Sequence, residues 1–528
     1  AASWNYIVVT DRIDTNDWRP TTQEPNGTTQ PRTSADIVTD AWAERDMGNI
    51  MLLHDGGGNR EATIQALPQI IEKFKAAGYQ FTSLSDLSGI PRDQLFPPVS
   101  GSEQVMVVVN WLILKLGSLL MPALSFLFVL SIVLGASRQV LIMVLAMIQR
   151  QRERRRERAF DPSYQPLVSV VIAAYNEEKV IARTVQTILD SAYPRLEIIV
   201  VDDGSKDQTT DVIMNAFAGN RRVQCHRKPN GGKASALNHG LAHAHGEIII
   251  GLDADTLFAP DTIGYLVRHF SDPQVGAVAG NVKVGNVNNM LTKWQSLEYI
   301  TSQNFDRRAY DLMNCITVVP GAVGAWRAIA IAAVGGYTHD TLAEDTDLTW
   351  KIRRAGWHIR NESRALAFTE APERFANLVR QRYRWAFGIL QSLWKHRGAI
   401  GHHGAFGWFA LPSLWLYSIV FQIIAPVMDV MIIISLASGN ATLVLTYAAL
   451  MLGLELVGAL LAIAMDSGHA WRLLPWLLIQ RFVYRQIMYY VILKSLHSAI
   501  IGHAVGWNKF ERTGTAQVAQ LLPTGDQA

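Results

Sequence analysis

The placement of apolar residues constrains this chain most: two long blocks, 105–148 and 407–500, flank a segment of ordinary soluble composition. A helix crossing a bilayer needs roughly 20 predominantly apolar residues. The first block runs for about 44 positions, interrupted by Lys115, Gly135 and Arg138, which suffices for one long helix or two short ones. The second divides into 407–436, 441–465 and 473–500, with Pro412 and Pro426 in the first stretch and Arg481, Arg485 and Lys494 in the last. Charges at membrane depth are costly unless they face protein or a polar cavity. These three are therefore expected to line a channel or, preferably, to pair within a helix bundle.

The formal net charge is only +3, yet Arg150-Gln151-Arg152-Glu153-Arg154-Arg155-Arg156-Glu157-Arg158 is densely basic. Such a run can mark a nucleic-acid partner. Placed directly after an apolar span, it marks the cytoplasmic end of a transmembrane helix. The expected partner is a lipid bilayer and not nucleic acid. Cys225 and Cys315 are the only cysteines. With no histidine pattern beside them, they suit buried positions in a reducing compartment better than a disulfide or a metal site. No internal repeat is visible, and the opening residues read as the inside of a strand.

Between the blocks, residues 160–400 alternate apolar runs with helical patterns, as an α/β fold does. The runs are Val168–Ala173, Glu197–Val201, Glu247–Leu252 and Val275–Ala279. The first leads into Ala174-Tyr175-Asn176-Glu177 and the second into Asp202-Asp203-Gly204-Ser205. Open α/β sheets bind ligands at the carboxyl ends of their strands, although Asp-Asp-Gly-Ser also makes an ordinary turn. The run at 247–252, taken as the third strand, ends in Asp253-Ala254-Asp255. Two carboxylates spaced i, i+2 can hold a hard cation such as Mg²⁺ or Mn²⁺ beside substrate phosphates. They also suit a helix cap or a solvated turn. Asn230-Gly231-Gly232-Lys233 offers backbone N–H groups and a point charge to a diphosphate, without P-loop spacing.

Further on come Leu342-Ala343-Glu344-Asp345-Thr346-Asp347 and Gln381-Arg382-Tyr383-Arg384-Trp385. Together with the earlier aspartates, these motifs make residues 165–510 resemble the processive family 2 glycosyltransferases, the synthases of cellulose, chitin, hyaluronan and poly-N-acetylglucosamine. The resemblance implies a type-A, Rossmann-like glycosyltransferase domain embedded between transmembrane α-helices, one or two before it and three or four after. It places Ala174, Tyr175, Glu177, Asp203, Lys233 and Asp253 at the nucleotide sugar. It gives Asp255 to the Mg²⁺ or Mn²⁺ ion and makes Asp345, beside Glu344 and Asp253, the catalytic base. Gln381, Arg384 and Trp385 would line the acceptor and diphosphate end. Gly321, within Val318–Arg327, would belong to an acceptor-site loop, although a structural turn suits that segment nearly as well.

The chemistry agrees with these roles. An inverting transfer needs a base for the acceptor hydroxyl and positive charge on the departing diphosphate. A guanidinium such as that of Arg384 can grip phosphate with paired hydrogen bonds. An indole such as that of Trp385 can stack on the apolar face of a sugar. Residues 374–398 also suit an amphipathic helix at the membrane surface.

The implied partners are a UDP-sugar donor and the growing polysaccharide, at the bacterial inner (plasma) membrane with the transferase in the cytoplasm. The alternatives are a non-processive enzyme adding one sugar to a lipid carrier, a synthase of hyaluronan or cellulose type, and a membrane scaffold keeping an inactive domain.

Residues 1–100 carry short strand-like runs at Tyr6–Thr10 and Asn49–Leu53 and an amphipathic helix pattern around Ala66–Ala77. Asp14-Thr15-Asn16-Asp17-Trp18 and Leu53-His54-Asp55 resemble the last motifs of polysaccharide deacetylases of the chitooligosaccharide deacetylase type. That resemblance implies the C-terminal part of an α/β deacetylase barrel on the extracytoplasmic side, with Asp17 and His54 as site residues. The earlier Asp-Asp and His-x-x-x-His motifs are absent from this sequence, so no deacetylase activity is expected of it as given. Such a neighbour favours an N-acetylated product, hence UDP-N-acetylglucosamine as donor. The expected division is 1–100, a membrane segment at 103–150, the transferase at 160–400, membrane helices at 405–505 and a tail at 506–528.

Overall fold

The computed structural model describes residues 11–23, 29–56, 58–99, 101–156, 160–437, 441–466, 470–502, 514 and 516. The strand expected at Tyr6–Thr10 and nearly all of the 506–528 tail lie outside these residues. The chain divides into two compact units, Ala1–Pro122 and Ala123–Ala528.

In the first unit, β1 (Ile13–Asp14), β2 (Thr21–Gln23), β3 (Thr29–Pro31) and β4 (Met51–Leu52) form two pairs, β1 parallel to β4 and β2 antiparallel to β3. Helices Ser34–Ala43 and Glu61–Ala76 pack around Ile37, Ala41, Ala66, Ile70 and Phe74. Thr33 caps the first helix and forms a capping box with Asp36. Among the described residues no barrel closes. The two resembled motifs nevertheless meet. Asp17, 4% exposed, accepts from the backbone N–H of His54 at 2.9 Å and lies 2.8 Å from its Nδ1, and Thr63 adds a third contact at 3.0 Å.

The second unit is built on an eight-stranded sheet: β5 (Val168–Ala174), β6 (Leu196–Asp202), β7 (Val223–Arg227), β8 (Ile248–Asp253), β9 (Leu257–Phe258), β10 (Val275–Val284), β11 (Gly324–Arg327) and β12 (His358–Thr369). The spatial order is β7-β6-β5-β8-β11-β10-β12-β9. β7, β6, β5 and β8 run parallel, with Val168 opposite both Leu196 and Ile248. β11 enters antiparallel between β8 and β10, so the sheet is mixed. β5 and β8 are buried on both faces, and their near-continuous Val/Ile runs are what the interior of a parallel sheet requires.

β7 corrects the strand count. Asp253 ends the fourth strand and not the third, because the half-buried Val-Gln-Cys-His-Arg of an edge strand carries no apolar run. Asp255 lies in the turn that leads through Thr256 into β9, so it does not cap a helix. Cys315 is buried and Cys225 half-buried, both as free thiols.

The first apolar block is one helix, Ser102–Arg156, with Pro122 inside it. Its C-terminal part is tied down by polar contacts: Arg138 to Asp306 at 2.7 Å, Gln149 to Asp311 at 3.0 Å, and Glu153 to Arg308 at 2.6 Å. Among the described residues, three helical segments are long and apolar enough to cross a membrane: Ser102–Arg155, Phe406–Ile433 and Leu445–Met465. A fourth helix, Leu474–Ile500, carries the three expected charges. Arg481 pairs with Glu455 at 2.5 Å, Arg485 pairs with Asp429 at 2.6 Å, and Lys494 lies over Tyr383. The segment 374–398 contains helix Phe375–Lys395.

Candidate active site

The carboxyl ends of β5 and β8 and the turn before β11 converge on a cavity of about 360 Å³. Each wall follows from local backbone chemistry. Asn176 adopts a left-handed conformation (φ +53°) as the chain leaves β5, and its N–H and side chain bond to the loop after β6 through Ser205 and Lys206. Gly204 (φ +76°) has no Cβ, which would otherwise stand 2.9 Å from the Asn230 nitrogen. This close approach lets Asp203 collect three donors: Gly231 N–H at 3.0 Å, Gly232 N–H at 2.7 Å and Lys228 Nζ at 2.6 Å. Asp203 thereby fixes the loop that launches helix Lys233–Leu241.

Lys233 is the hub of the cavity. Its Nζ lies 2.6 Å from both Asp253 Oδ1 and Glu344 Oε1. Burial works against its charge, but Asp253, Glu344 and Asp345 outweigh burial and raise its pKa well above the ordinary lysine value. Asp345 follows Glu344 in the first turn of helix Glu344–Arg354 and accepts from Thr346 N–H at 2.7 Å and Gly321 N–H at 3.2 Å. Burial, then the charge of Glu344, pushes the Asp345 carboxyl up to about 6, with Lys233 opposing. Gly321 fits between these groups because it lacks a side chain. A Cβ there would stand 2.9 Å from Lys233 Nζ and 3.6 Å from both Asp253 carboxylate oxygens.

Asp255, 5% exposed, lines the same cavity, with Thr369 Oγ1 at 3.5 Å. Asp253 and Asp255 thus offer two carboxylates at one wall, a donor set of hard oxygens that fits Mg²⁺ or Mn²⁺. Gln381, Arg384 and Trp385 line the same cavity from helix Phe375–Lys395. Arg382, between them, points away into a buried network with Glu298 and Tyr484, its guanidinium 4.2 Å from the Trp385 ring centre.

The cavity therefore gathers Glu177, Lys233, Asp253, Asp255, Gly321, Glu344, Asp345, Gln381, Arg384 and Trp385. Three expected residues stand outside its lining. Ala174 is buried in the core, with Ala173 lining the cavity in its place; Tyr175 and Asp203 sit in the adjoining loops. The carboxylate of Asp203 is engaged by its own chain.

Arg307, Tyr299 and Tyr337 were not anticipated. Arg307, 4% exposed, donates to the Gly280 carbonyl at 2.8 Å, and burial pushes its pKa down to about 10. Its signal in the sequence is a pair of arginines in Phe305-Asp306-Arg307-Arg308, which no spacing rule assigns to a site. Tyr299 lines the cavity from a helical turn, and the Tyr337 hydroxyl faces Gly251, where a Cβ would stand 2.8 Å away.

Residues 169–331 match the family model described as glycosyl transferase family 2. A poly-β-1,6-N-acetyl-D-glucosamine synthase of Staphylococcus epidermidis is 31% identical over 272 residues, 51% of this chain and 63% of the relative. The synthase of the same name from Staphylococcus aureus is 32% identical over 222 residues, 42% of this chain and 54% of the relative. The chain thus spans less than two thirds of the curated relatives it matches. A mannosyltransferase of Pyrobaculum calidifontis, solved with GDP-mannose and Mn²⁺, superposes with TM-score 0.50 at 22% identity, covering 71% of this chain and 99% of that one, a likeness of fold. The sheet, the cavity at its carboxyl edge and the matched sequence agree in likeness: residues 169–331 are similar to the family 2 glycosyl transferases.

Proposed function

We propose that this chain is a membrane-embedded, inverting hexosyltransferase that extends a β-linked N-acetylglucosamine polymer from UDP-N-acetylglucosamine, and that it does so processively. The observation that carries this reading is the convergence of Lys233, Asp253, Asp255, Gly321 and Asp345 with Gln381, Arg384 and Trp385 in one cavity. The curated relatives named poly-β-1,6-N-acetyl-D-glucosamine synthase support the choice of sugar. The long apolar helices support a bilayer location.

In the proposed reaction the acceptor hydroxyl lies beside Asp345. Its oxygen attacks the anomeric carbon of the donor as the Asp345 carboxylate takes its proton. The bond to the diphosphate breaks on the opposite face, its electron pair leaving with UDP, and the configuration inverts. Arg384, together with Lys233, supplies fixed positive charge where the leaving group gathers negative charge. The N–H of Gly321 holds Asp345 in place, and Trp385 offers an aromatic face to the acceptor sugar. A divalent cation held by Asp255 and Asp253 would neutralise diphosphate charge when bound.

The test is incorporation of radiolabel from UDP-N-acetylglucosamine, UDP-glucose and UDP-glucuronate by the detergent-purified chain with Mg²⁺ or Mn²⁺. The product is then sized and digested with β-1,6- and β-1,4-specific hydrolases. Long chains labelled from UDP-N-acetylglucosamine alone are expected. A product carrying one added sugar refutes processivity, and labelling from a different donor refutes the sugar assignment.

A further inference from the structure

Outside the cavity, three histidines from two elements meet at the edge of the sheet. His226 lies on edge strand β7, His239 lies in helix Lys233–Leu241, and His243 lies just past that helix's end. The helix packs on β5 and β6 through small residues. Ala236 is fully buried, and Gly240 approaches so closely that a Cβ would stand 2.3 Å from Val171 Cγ1. A helix seated this low brings His239 and His243, spaced i, i+4 on one face, against the outermost strand. The ring centroids of His226 and His243 are 4.2 Å apart, and those of His239 and His243 are 4.7 Å apart. One ring nitrogen from each of the three lies within 4.8 Å of the others.

We propose that His226, His239 and His243 form a site for a transition-metal ion of the Zn²⁺ class, separate from the carboxylate site at Asp253 and Asp255. Neutral imidazole suits Zn²⁺, Co²⁺, Ni²⁺ or Cu²⁺, whereas Mg²⁺ takes oxygen donors. Zinc holds nitrogen at roughly 2.0–2.1 Å, which sets tetrahedral ligand atoms about 3.4 Å apart. Small ring rotations close that gap. The surrounding acceptors orient two of the rings. His243 Nδ1 faces the His239 carbonyl oxygen at 2.9 Å, and His226 Nε2 faces Gln224 Oε1 at 3.4 Å. An N–H on those sides leaves His243 Nε2 and His226 Nδ1 with lone pairs for an ion, as outer-shell carbonyls do in metal sites. Three protein ligands leave a fourth position for water. The bound ion ties edge strand β7 to the helix whose first residue is Lys233.

The experiment uses the full chain in detergent, with any affinity tag removed and Mg²⁺ in excess so that the carboxylate site is filled. Co²⁺ is titrated in and followed by visible absorption, then displaced with Zn²⁺. One equivalent of Co²⁺ giving the intense band of a four-coordinate site, lost to one equivalent of Zn²⁺, is the expected result. His239→Gln and His226→Asn should each weaken Co²⁺ binding by more than the roughly 10–100-fold that loss of an outer-shell partner costs. Absence of the band in the wild-type chain overturns the assignment whatever the variants do. A band that persists undiminished in both folded variants overturns it as well. A rise in thermal midpoint with Zn²⁺ in the wild-type chain, absent in the variants, is the second expected readout.

Discussion

Arg382 donates to Glu298 across a 2.5 Å contact, joining helix Phe375–Lys395 to helix Met290–Glu298 in the middle of the Gln-x-x-Arg-Trp motif. Arg382 is 2% exposed, and Tyr484 of helix Leu474–Ile500 shares the carboxylate at 2.6 Å. Removing one member of such a buried pair strands the other, at a cost of about 3–5 kcal/mol. Arg382→Gln should therefore lower the thermal midpoint of the solubilised protein and loosen Trp385, which stacks on that guanidinium. Glu298→Gln combined with Arg382→Gln should cost less than the two single changes added together. Thermal unfolding of the four proteins measures the coupling.

Gly321→Ala places a methyl group 2.9 Å from Lys233 Nζ. The cation must shift away from Asp253 and Glu344, and the turn that presents an N–H to Asp345 shifts with it. Misplacement on the order of 1 Å in a reacting site can cost about 10²-fold in rate. A fall in turnover of that order is expected, with the protein still folded and UDP still bound. Initial-rate measurements together with nucleotide binding separate the two effects.

Asp345 as base predicts a pH profile. With its carboxyl raised to about 6, the charged form needed for proton removal grows as pH rises through that value, so turnover should climb on the acid side with an inflection near 6. The charge of Glu344 contributes to the elevation, so Glu344→Gln should move the inflection to lower pH. The linkage to stability has the opposite sign. A folded pKa above the ordinary 3.8 means that protonated Asp345 stabilises the fold, fully below 3.8, and that this contribution is lost as pH rises to about 6. Asp345→Asn should accordingly abolish transfer, by roughly 10²–10⁴-fold, yet raise the thermal midpoint at neutral pH. An unchanged rate of UDP release in that variant refutes the base assignment.

Asp255→Asn should remove the dependence on divalent cation together with the activity. In the wild-type chain, chelation should stop transfer, and either Mg²⁺ or Mn²⁺ should restore it, because hard oxygen donors accept both ions. Recovery of the variant with excess metal to wild-type rates argues against Asp255 as a ligand.

Much of this architecture was legible in the sequence, for physical reasons. β5, β6 and β8 are doubly buried and announce themselves as Val/Ile runs, and the helix Ser102–Arg156 announces itself by apolar length. β7 was not legible, because an edge strand wets one side and needs no apolar run. The meeting of distant motifs in one cavity was legible where a pattern places side chains at strand ends, as with Asp253 and Asp255, which both line it. Asp203 shows the limit: its sequence context suits a ligand contact, but its carboxylate is engaged by Gly231, Gly232 and Lys228. Arg307 and Tyr299 reach the cavity from helices distant in sequence, a proximity that only the packed fold creates.

Helix Phe375–Lys395 turns one face to the cavity through Gln381, Arg384 and Trp385 and the other to helix Leu474–Ile500, where Arg382 meets Tyr484 and Tyr383 donates to Ser498 at 2.8 Å. Adjacent residues of one rigid rod thus answer to two environments. If Leu474–Ile500 lies in the bilayer as proposed, a change of lipid thickness or detergent that shifts it should reach Gln381, Arg384 and Trp385 through this shared rod. Turnover is therefore expected to differ between micelles and bilayers of different acyl length, and equal rates in all of them would count against this coupling.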